Sequence, residues 1–248
     1  MTLRFRPLVG FTAFFLPVFA LLMGLGVWQL ERLHWKVALI AQIRRNMAAQ
    51  PIPLDAALAL GDRAQYRPVA LSGHFDNAKE IYAFMTGPGG APVYHVLTPL
   101  FLSDGRAMMI DRGYIPIALR DPNSRPGSEP QGRVRVVGIW RRPDKPGPFT
   151  PPADLKDRVW FARDLAGIAK AEHLSLAAPA LLEATASPLD RSWPRGGQTR
   201  VDIPNDHLQY ALTWFLLAGA LLVIYFSYHR ARGRLEIGPH RNVGGTRA

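Results

Sequence analysis

The chain has 248 residues, of which 48% are hydrophobic, and it carries 30 basic residues, 19 acidic residues and no cysteine. This length accommodates one or two domains with a hydrophobic core, and the lack of cysteine excludes disulfides, thiol redox motifs and thiolate metal sites. The net charge of +11 does not predict a nucleic-acid partner, because the basic residues form only short pairs such as Arg141 and Arg142.

An uncharged segment of 24 residues, 7–30, follows a short basic start. It is long enough to cross a bilayer as a helix, and a membrane helix tolerates a proline such as Pro17. The segment leads into GVWQLERLHWK rather than into a small-residue cleavage site, which favours an uncleaved anchor over a signal peptide. We therefore predict a first transmembrane helix over 8–30.

A second uncharged segment of 21 residues covers 208–228 and would be about 31 Å long as a helix, close to the hydrocarbon thickness of a bilayer. The terminal segments outside the two runs carry seven basic residues and one acidic residue. The positive-inside rule then predicts that 1–7 and a basic tail, 229–248, are cytoplasmic, and that 31–207 is periplasmic. The lack of an Arg- and Ser-rich transit segment favours the lipid bilayer of a bacterial inner membrane over an organelle.

The sequence between the two spans predicts an α+β domain. The first helix continues amphipathically to about Ala49, before Pro51, and a further helix is predicted over 165–172. Short β-like runs are separated by turn residues, with hairpin breaks at 87–92 and 104–106. The predicted strands are 67–75, 80–85, 93–102, 107–116, 133–141, 159–164 and 182–186. Close spacing of the early strands favours hairpins, so we predict a mostly antiparallel β core.

Motifs typical of enzymes are absent from the sequence, which has no HExxH or GxSxG, and GPGG at 87–90 lacks the lysine of a phosphate loop. His74, His95 and His207 have no spacing typical of a metal site. Asp111 does not complete one, and a histidine in a half-buried strand is more often a hydrogen-bonded core residue. Asp111 ends an apolar strand and is predicted to form a strand-end ion pair. We predict that the protein is not an enzyme.

The exit of the first span carries aromatic and basic residues on one helical face, namely Trp28, Arg32 and either Trp35 or Lys36. Two interpretations remain open. The face is an interfacial anchor, with tryptophan at the headgroups and the basic side chains reaching outward. Alternatively, Arg32 binds the carboxylate of a ligand through charge-assisted hydrogen bonds.

A histidine, His207, stands directly before the second span, on its predicted periplasmic side. Asn205 and Asp206 precede it and are suited to cap the helix. The helix dipole disfavours an imidazolium at this end, and a neutral imidazole is the form that ligates haem iron. The alternative is a polar interfacial residue that completes the cap, and the residues alone do not choose between the two.

The sequence resembles the Surfeit-locus-one (Shy-one-like) family of cytochrome c oxidase assembly factors over nearly its full length. The resemblance rests on five motifs, which are LGVWQLERLHWK (25–36), YRPVALSGHF (66–75), HVLTPL (95–100), DRGYIP (111–116) and NDHLQYALTWF (205–215). The order of the motifs and the two spans around one extracytoplasmic domain match the family as well. One departure is Tyr114, where the family commonly has tryptophan.

The resemblance implies a membrane-anchored, non-catalytic assembly factor for an aa3-type haem-copper oxidase, which assists insertion of haem a into the catalytic subunit. The implied partners are that subunit, haem a synthase and the lipid bilayer. By the same resemblance, His207 is the candidate ligand of the haem iron, and Trp28 and Arg32 are further candidate haem-binding residues. The alternative function is a scaffold that stabilises oxidase assembly intermediates without binding the cofactor.

Overall fold

The computed structural model of the chain describes residues 2–185, 193–197, 199 and 204–238. The chain divides into two compact units, Met1–Ala41 with Asp202–Ala248, and Gln42–Val201. The last ten residues of the predicted basic tail lie outside the described residues, as does the final residue of the last predicted strand.

Four α-helices and ten strands make up the described part of the chain. The helices are α1 (Val9–Met47), α2 (Leu54–Leu60), α3 (Leu165–Ala171) and α4 (His207–Ala231). The strands are β1 (Thr2–Phe5), β2 (Ile52–Pro53), β3 (Pro68–Phe75), β4 (Ile81–Thr86), β5 (Pro92–Phe101), β6 (Ala107–Pro116), β7 (Arg133–Arg141), β8 (Val159–Trp160), β9 (Leu176–Ala184) and β10 (Leu235–Gly238). Short 3₁₀ turns cover Gly61–Ala64, Asn77–Lys79, Pro88–Gly90, Ile117–Leu119 and Pro122–Ser124.

The first unit contains the two long apolar helices, α4 and most of α1. Both are long and apolar enough to cross a membrane by length and composition. α1 runs through Pro17 and ends at Met47, close to the predicted end. β1 pairs antiparallel with β10, a two-stranded ribbon that the sequence analysis did not predict.

The second unit contains a sheet that closes into a small barrel. Its strand order is β2-β3-β7-β9-β6-β5-β4-β8, and a further pairing of β3 with β5 joins five of these strands in a ring. Gly73 lies at this closure, where a Cβ atom would collide with the carbonyl oxygen of Phe101. The pairings are antiparallel except for β2–β3, β4–β8 and β6–β9, so the predicted mostly antiparallel core is confirmed.

Both faces of the central strand β6 are buried. Met108 and Ile110 belong to a cluster that includes Leu100 and Leu182, whereas Met109 between them packs in a second cluster beneath α3. Side chains alternate between the faces of a strand. The continuous apolar run of this strand therefore reflects apolar packing on both of its sides.

The predicted hairpins at 87–92 and 104–106 connect β4 to β5 and β5 to β6, as expected. Two later strands differ from the prediction, because β8 is only two residues long and β9 already begins at Leu176. A proline interrupts the apolar pattern of β9 in the sequence LAAPALLEA, and this hid its first half. The short helix α2 was also missed, since seven residues give a weak periodic signal.

Candidate functional sites

The helical unit places His207 against Gln29. His207 is the first residue of α4, and its Nδ1 lies 2.7 Å from Oε1 of Gln29 on α1. An amide oxygen only accepts hydrogen bonds, so the Nδ1–H of His207 is the donor. The neutral ring then carries its lone pair on Nε2, the atom that remains to ligate a metal.

The cap of α4 differs from the prediction. Asp206 occupies the N-cap position, but its side chain accepts no hydrogen bond from the first turn. The side-chain oxygen of Asn205 is buried and has no hydrogen-bond partner among the described residues. The hydrogen bond from the His207 ring is instead made to the neighbouring helix, which fixes the ring orientation.

Close packing of α1 on α4 holds this pair together. A Cβ atom on Gly26 would lie 2.5–2.9 Å from three ring atoms of Phe215, so only glycine fits there without a shift. Further along the helices, Tyr225 stacks on Phe15 with ring centroids 4.1 Å apart, and its hydroxyl lies 2.8 Å from that of Thr12. Contacts therefore fix the two helices in register along much of their length.

His229, near the other end of α4, is engaged on both ring nitrogens. Its Nδ1–H donates to the carbonyl oxygen of Tyr225 at 2.8 Å, and its Nε2 accepts from the backbone N–H of Leu8 at 3.1 Å. The ring is fully buried. His229 is therefore a structural histidine, whereas the Nε2 of His207 has no hydrogen-bond partner among the described residues.

Trp28 and Arg32 lie one turn apart on α1, next to Gln29. Trp28 is half-exposed, and the guanidinium of Arg32 stacks on Trp35 at 4.7 Å from the ring centroid. Arg32 has no ion-pair partner among the described residues. Of the candidate residues from the sequence, His207 lies beside Gln29, which belongs to the first motif, 25–36. The roles of Trp28 and Arg32 stay predictions.

The sheet domain contains a buried charge network around Asp111. The Nδ1–H of His95 donates to both oxygens of Asp111, at 2.9 and 3.1 Å, and the backbone N–H of Gly113 donates to one of them at 3.0 Å. Arg163 contributes a contact at 3.4 Å. Asp111 is almost fully buried and lies in the middle of β6. The predicted ion pair is therefore present, with Arg163, but its predicted position at the end of a strand is wrong. Within the described residues, no three metal-ligating side chains cluster.

Arg163 joins Asp111 to two further carboxylates. It donates to Glu183 at 2.5 Å and to Asp144 at 2.8 Å. Burial lowers the pKa of the Arg163 guanidinium, but its carboxylate partners outweigh this effect and raise the pKa above its usual value. Burial likewise raises the pKa of Asp144, but Arg163 dominates and holds it below the usual value. Arg163 and Glu183 were not among the site residues predicted from the sequence, because their spacing along the chain carries no sign that they meet.

A second buried network fixes the loop after β6 against β4. The guanidinium of Arg125 pairs with the carboxylate of Glu80, and the Tyr82 hydroxyl donates to the same carboxylate at 2.8 Å. Burial, followed by the negative charge of Glu80, raises the pKa of Tyr82 to about 12. All three side chains are buried, and the arrangement is a structural clamp.

The sequence of this chain also matches a protein family and several known proteins directly. The profile of the SURF1 family matches residues 16–219. This chain belongs to the SURF1 family. Surfeit locus protein 1 of Mus musculus is 36% identical over 231 residues, which cover 86% of this chain and 74% of the mouse protein. Surfeit locus protein 1 of Homo sapiens is 33% identical over 219 residues, with 82% and 72% covered.

A SURF1-like protein of Caenorhabditis elegans is 31% identical over 237 residues, which cover 87% of this chain and 72% of the worm protein. SURF1 is a family of cytochrome c oxidase assembly factors, which confirms the family resemblance and gives the chain a general role in oxidase assembly. The matched range includes both His207 and Gln29.

Proposed function

We propose that this SURF1-family protein assists the insertion of haem a into the catalytic subunit of an aa3-type haem-copper oxidase, and that it does so as a non-enzymatic assembly factor. The general role in oxidase assembly follows from family membership. The step at which it acts, and its use of haem a, belong to the proposal. One contact carries this finer function, the 2.7 Å hydrogen bond between His207 and Gln29.

The chemistry of that contact fits a haem ligand. Haem iron is commonly held by a neutral imidazole, and a ligating histidine usually donates its other ring N–H to a fixed acceptor that sets ring orientation and basicity. Gln29 supplies that acceptor for His207. His207 would hold the iron through Nε2, and the bound haem would supply the visible absorbance by which binding is measured.

Arg32, the basic residue closest in sequence to Gln29, is suited to bind a propionate group at the edge of a haem. Arg32 is exposed and stacks on Trp35, so the edges of its guanidinium remain available to donate hydrogen bonds. A haem propionate is a carboxylate, which arginine binds well. Trp28 is half-exposed and offers an apolar ring face. These two residues are proposed to orient a haem that His207 ligates.

The proposed location is a bacterial inner membrane with both termini in the cytoplasm. Two helices of sufficient length and apolarity support two spans, and the basic terminal segments support this orientation. His207 and Gln29 would then lie at the periplasmic surface of the bilayer. The catalytic subunit of the oxidase, haem a synthase and the bilayer are the proposed partners.

The test is haem loading of the full chain. We expect the protein, co-expressed with the enzymes of haem a synthesis and purified in detergent, to show a haem absorbance spectrum that His207→Ala abolishes. His34→Ala is the matched control, because His34 is an exposed histidine of the same helix as Gln29. Equal haem content in the native protein and His207→Ala would remove His207 as the ligand.

A second experiment separates haem delivery from the scaffold alternative. Deleting the gene in its native host should lower oxidase activity and haem a content of the membranes, and re-expression of the native chain should restore both. Restoration by His207→Ala with full haem content would favour a scaffold that does not bind the cofactor. Normal, fully loaded oxidase in the deletion strain would contradict both functions.

A further inference from the structure

We infer that the sheet domain carries a binding site for a small molecule with a carboxylate group, in a cavity beside the β4–β5 hairpin. The cavity has a volume of about 180 Å³. It is lined by Met85, Thr86, Gly87, Pro88, His95, Tyr114, Arg141, Arg163 and Glu183. This inference does not rest on haem binding, because every residue of the cavity belongs to the second unit.

The acidic groups around the cavity are already engaged. Both oxygens of Asp111 accept hydrogen bonds from the His95 ring. One oxygen of Glu183 accepts from Arg163 at 2.5 Å, and the other accepts from the hydroxyl of Thr199 at 2.5 Å. The carboxylates therefore have little capacity left to hold a cation in the cavity.

Hydrogen-bond donors, in contrast, are left over. Arg141 stacks on Tyr66 at 4.7 Å, and its Nε lies 3.3 Å from Glu183 but is buried without a hydrogen bond of adequate geometry among the described residues. Its guanidinium carries five N–H groups. A mostly buried arginine with unused donors beside a cavity is suited to bind an acceptor, and a carboxylate matches its planar fork.

Tyr114 adds a further donor. It pairs with His95 across β5 and β6, and its hydroxyl has no hydrogen-bond partner among the described residues. His95 also lines the cavity, with its Nδ1–H committed to Asp111. The Tyr114 hydroxyl can therefore donate to an oxyanion in the cavity.

Equilibrium dialysis of the purified full chain in detergent tests the inference, with acetate and succinate as probes and succinamide as their neutral counterpart. We expect saturable binding of at least one acid and none of succinamide. Arg141→Lys keeps the charge and loses the planar fork, so it should weaken binding by roughly tenfold or more. Tyr114→Phe, which removes only the hydroxyl, should weaken binding by a smaller factor.

Arg106→Gln is the matched control, because Arg106 pairs with Asp104 on the exposed surface and should not alter binding. N-acetylglutamate amide distinguishes a protein side chain from a free acid as the natural ligand. If N-acetylglutamate amide binds and the free acids do not, and if Arg141→Lys abolishes that binding, the natural carboxylate belongs to a side chain of a partner protein. The inference is overturned if none of the three carboxylates binds saturably, if succinamide binds equally well, or if a folded Arg141→Lys variant keeps native affinity.

Discussion

The imidazole of His207 and the amide of Gln29 lie 2.7 Å apart although 178 positions separate them in the sequence. Each belongs to one of the two long apolar helices, close to the charged end of its uncharged run. The hydrogen bond commits Nδ1 and presents Nε2. The proposed ligation of haem rests on this pair.

Under the proposed ligation of haem by His207, Gln29 should control how firmly haem is held. Gln29→Leu removes the acceptor and frees the imidazole to rotate, so we expect haem affinity to fall by roughly 10- to 100-fold, the usual effect of losing such a partner. Gln29→Glu keeps an acceptor and should retain most of the affinity. Titration of haem into detergent-solubilised protein, followed by absorbance, measures both.

The control for this pair is the variant His34→Ala, which alters an exposed histidine of the same helix and should bind haem as the native protein does. Native affinity in Gln29→Leu, with the fold intact by circular dichroism, would show that the hydrogen bond does not position a ligand.

Helix packing at Gly26 should be sensitive to a single methyl group. Gly26→Ala forces the ring of Phe215 to move, since the new Cβ would lie within 2.9 Å of three of its atoms. Overpacking of this kind typically costs about 1–3 kcal/mol. The midpoint of thermal unfolding in detergent should fall. Gly24→Ala is the control, because a Cβ there meets nothing within 4 Å, and an equal loss in both variants would argue against this packing.

The buried pairing of Asp111 should contribute strongly to the stability of the sheet domain. Asp111→Asn removes the charge that faces His95 and Arg163, and breaking a buried ion pair in this way costs about 3 kcal/mol or more. Asp104→Asn is the surface counterpart, because Asp104 and Arg106 are both more than 40% exposed, and it should cost far less, since water screens the pair. Chemical denaturation of both variants compares them, and similar losses would contradict a dominant buried network.

Asp144 should make stability depend on pH in acid. Its pKa is lowered in the folded protein, with Arg163 outweighing the opposing effect of burial, whereas in the unfolded chain it lies near about 3.9. The contribution of the Asp144–Arg163 pair to stability is therefore complete above about pH 3.9 and is lost as the pH falls through the folded pKa of Asp144. The stability difference between the native protein and Asp144→Asn should shrink below about pH 4. A difference that stays constant down to about pH 2 would contradict the pairing.

The secondary structure was largely predictable because its signals are local. Two uncharged runs predicted the long helices, and turn residues at 87–92 and 104–106 predicted the hairpins. Barrel closure was not predictable, because it depends on the contact of β3 with β5 and on the bare backbone of Gly73 beside Phe101. The ribbon of β1 with β10 joins the two ends of the described chain, a distance over which local patterns carry no information.

The candidate sites divide in the same way. His207 and Asp111 stood out in the sequence by their positions at the ends of apolar segments. Gln29 was visible only as one letter of a motif, and Arg163 lies in the loop after β8, in a segment that the sequence predicted as a strand. Their importance depends on which side chains they meet, namely His207 for Gln29 and the Asp111 network for Arg163.

The sequence by itself determined the two apolar helices, the β-rich domain between them and the family, because hydrophobic runs, turn residues and motifs are written along the chain. Only the tertiary structure decided which nitrogen of His207 is free and which charges meet around Asp111. Hydrogen bonds and ion pairs are set by distances of a few ångströms between residues far apart in sequence, and those distances exist only once helices and strands have packed.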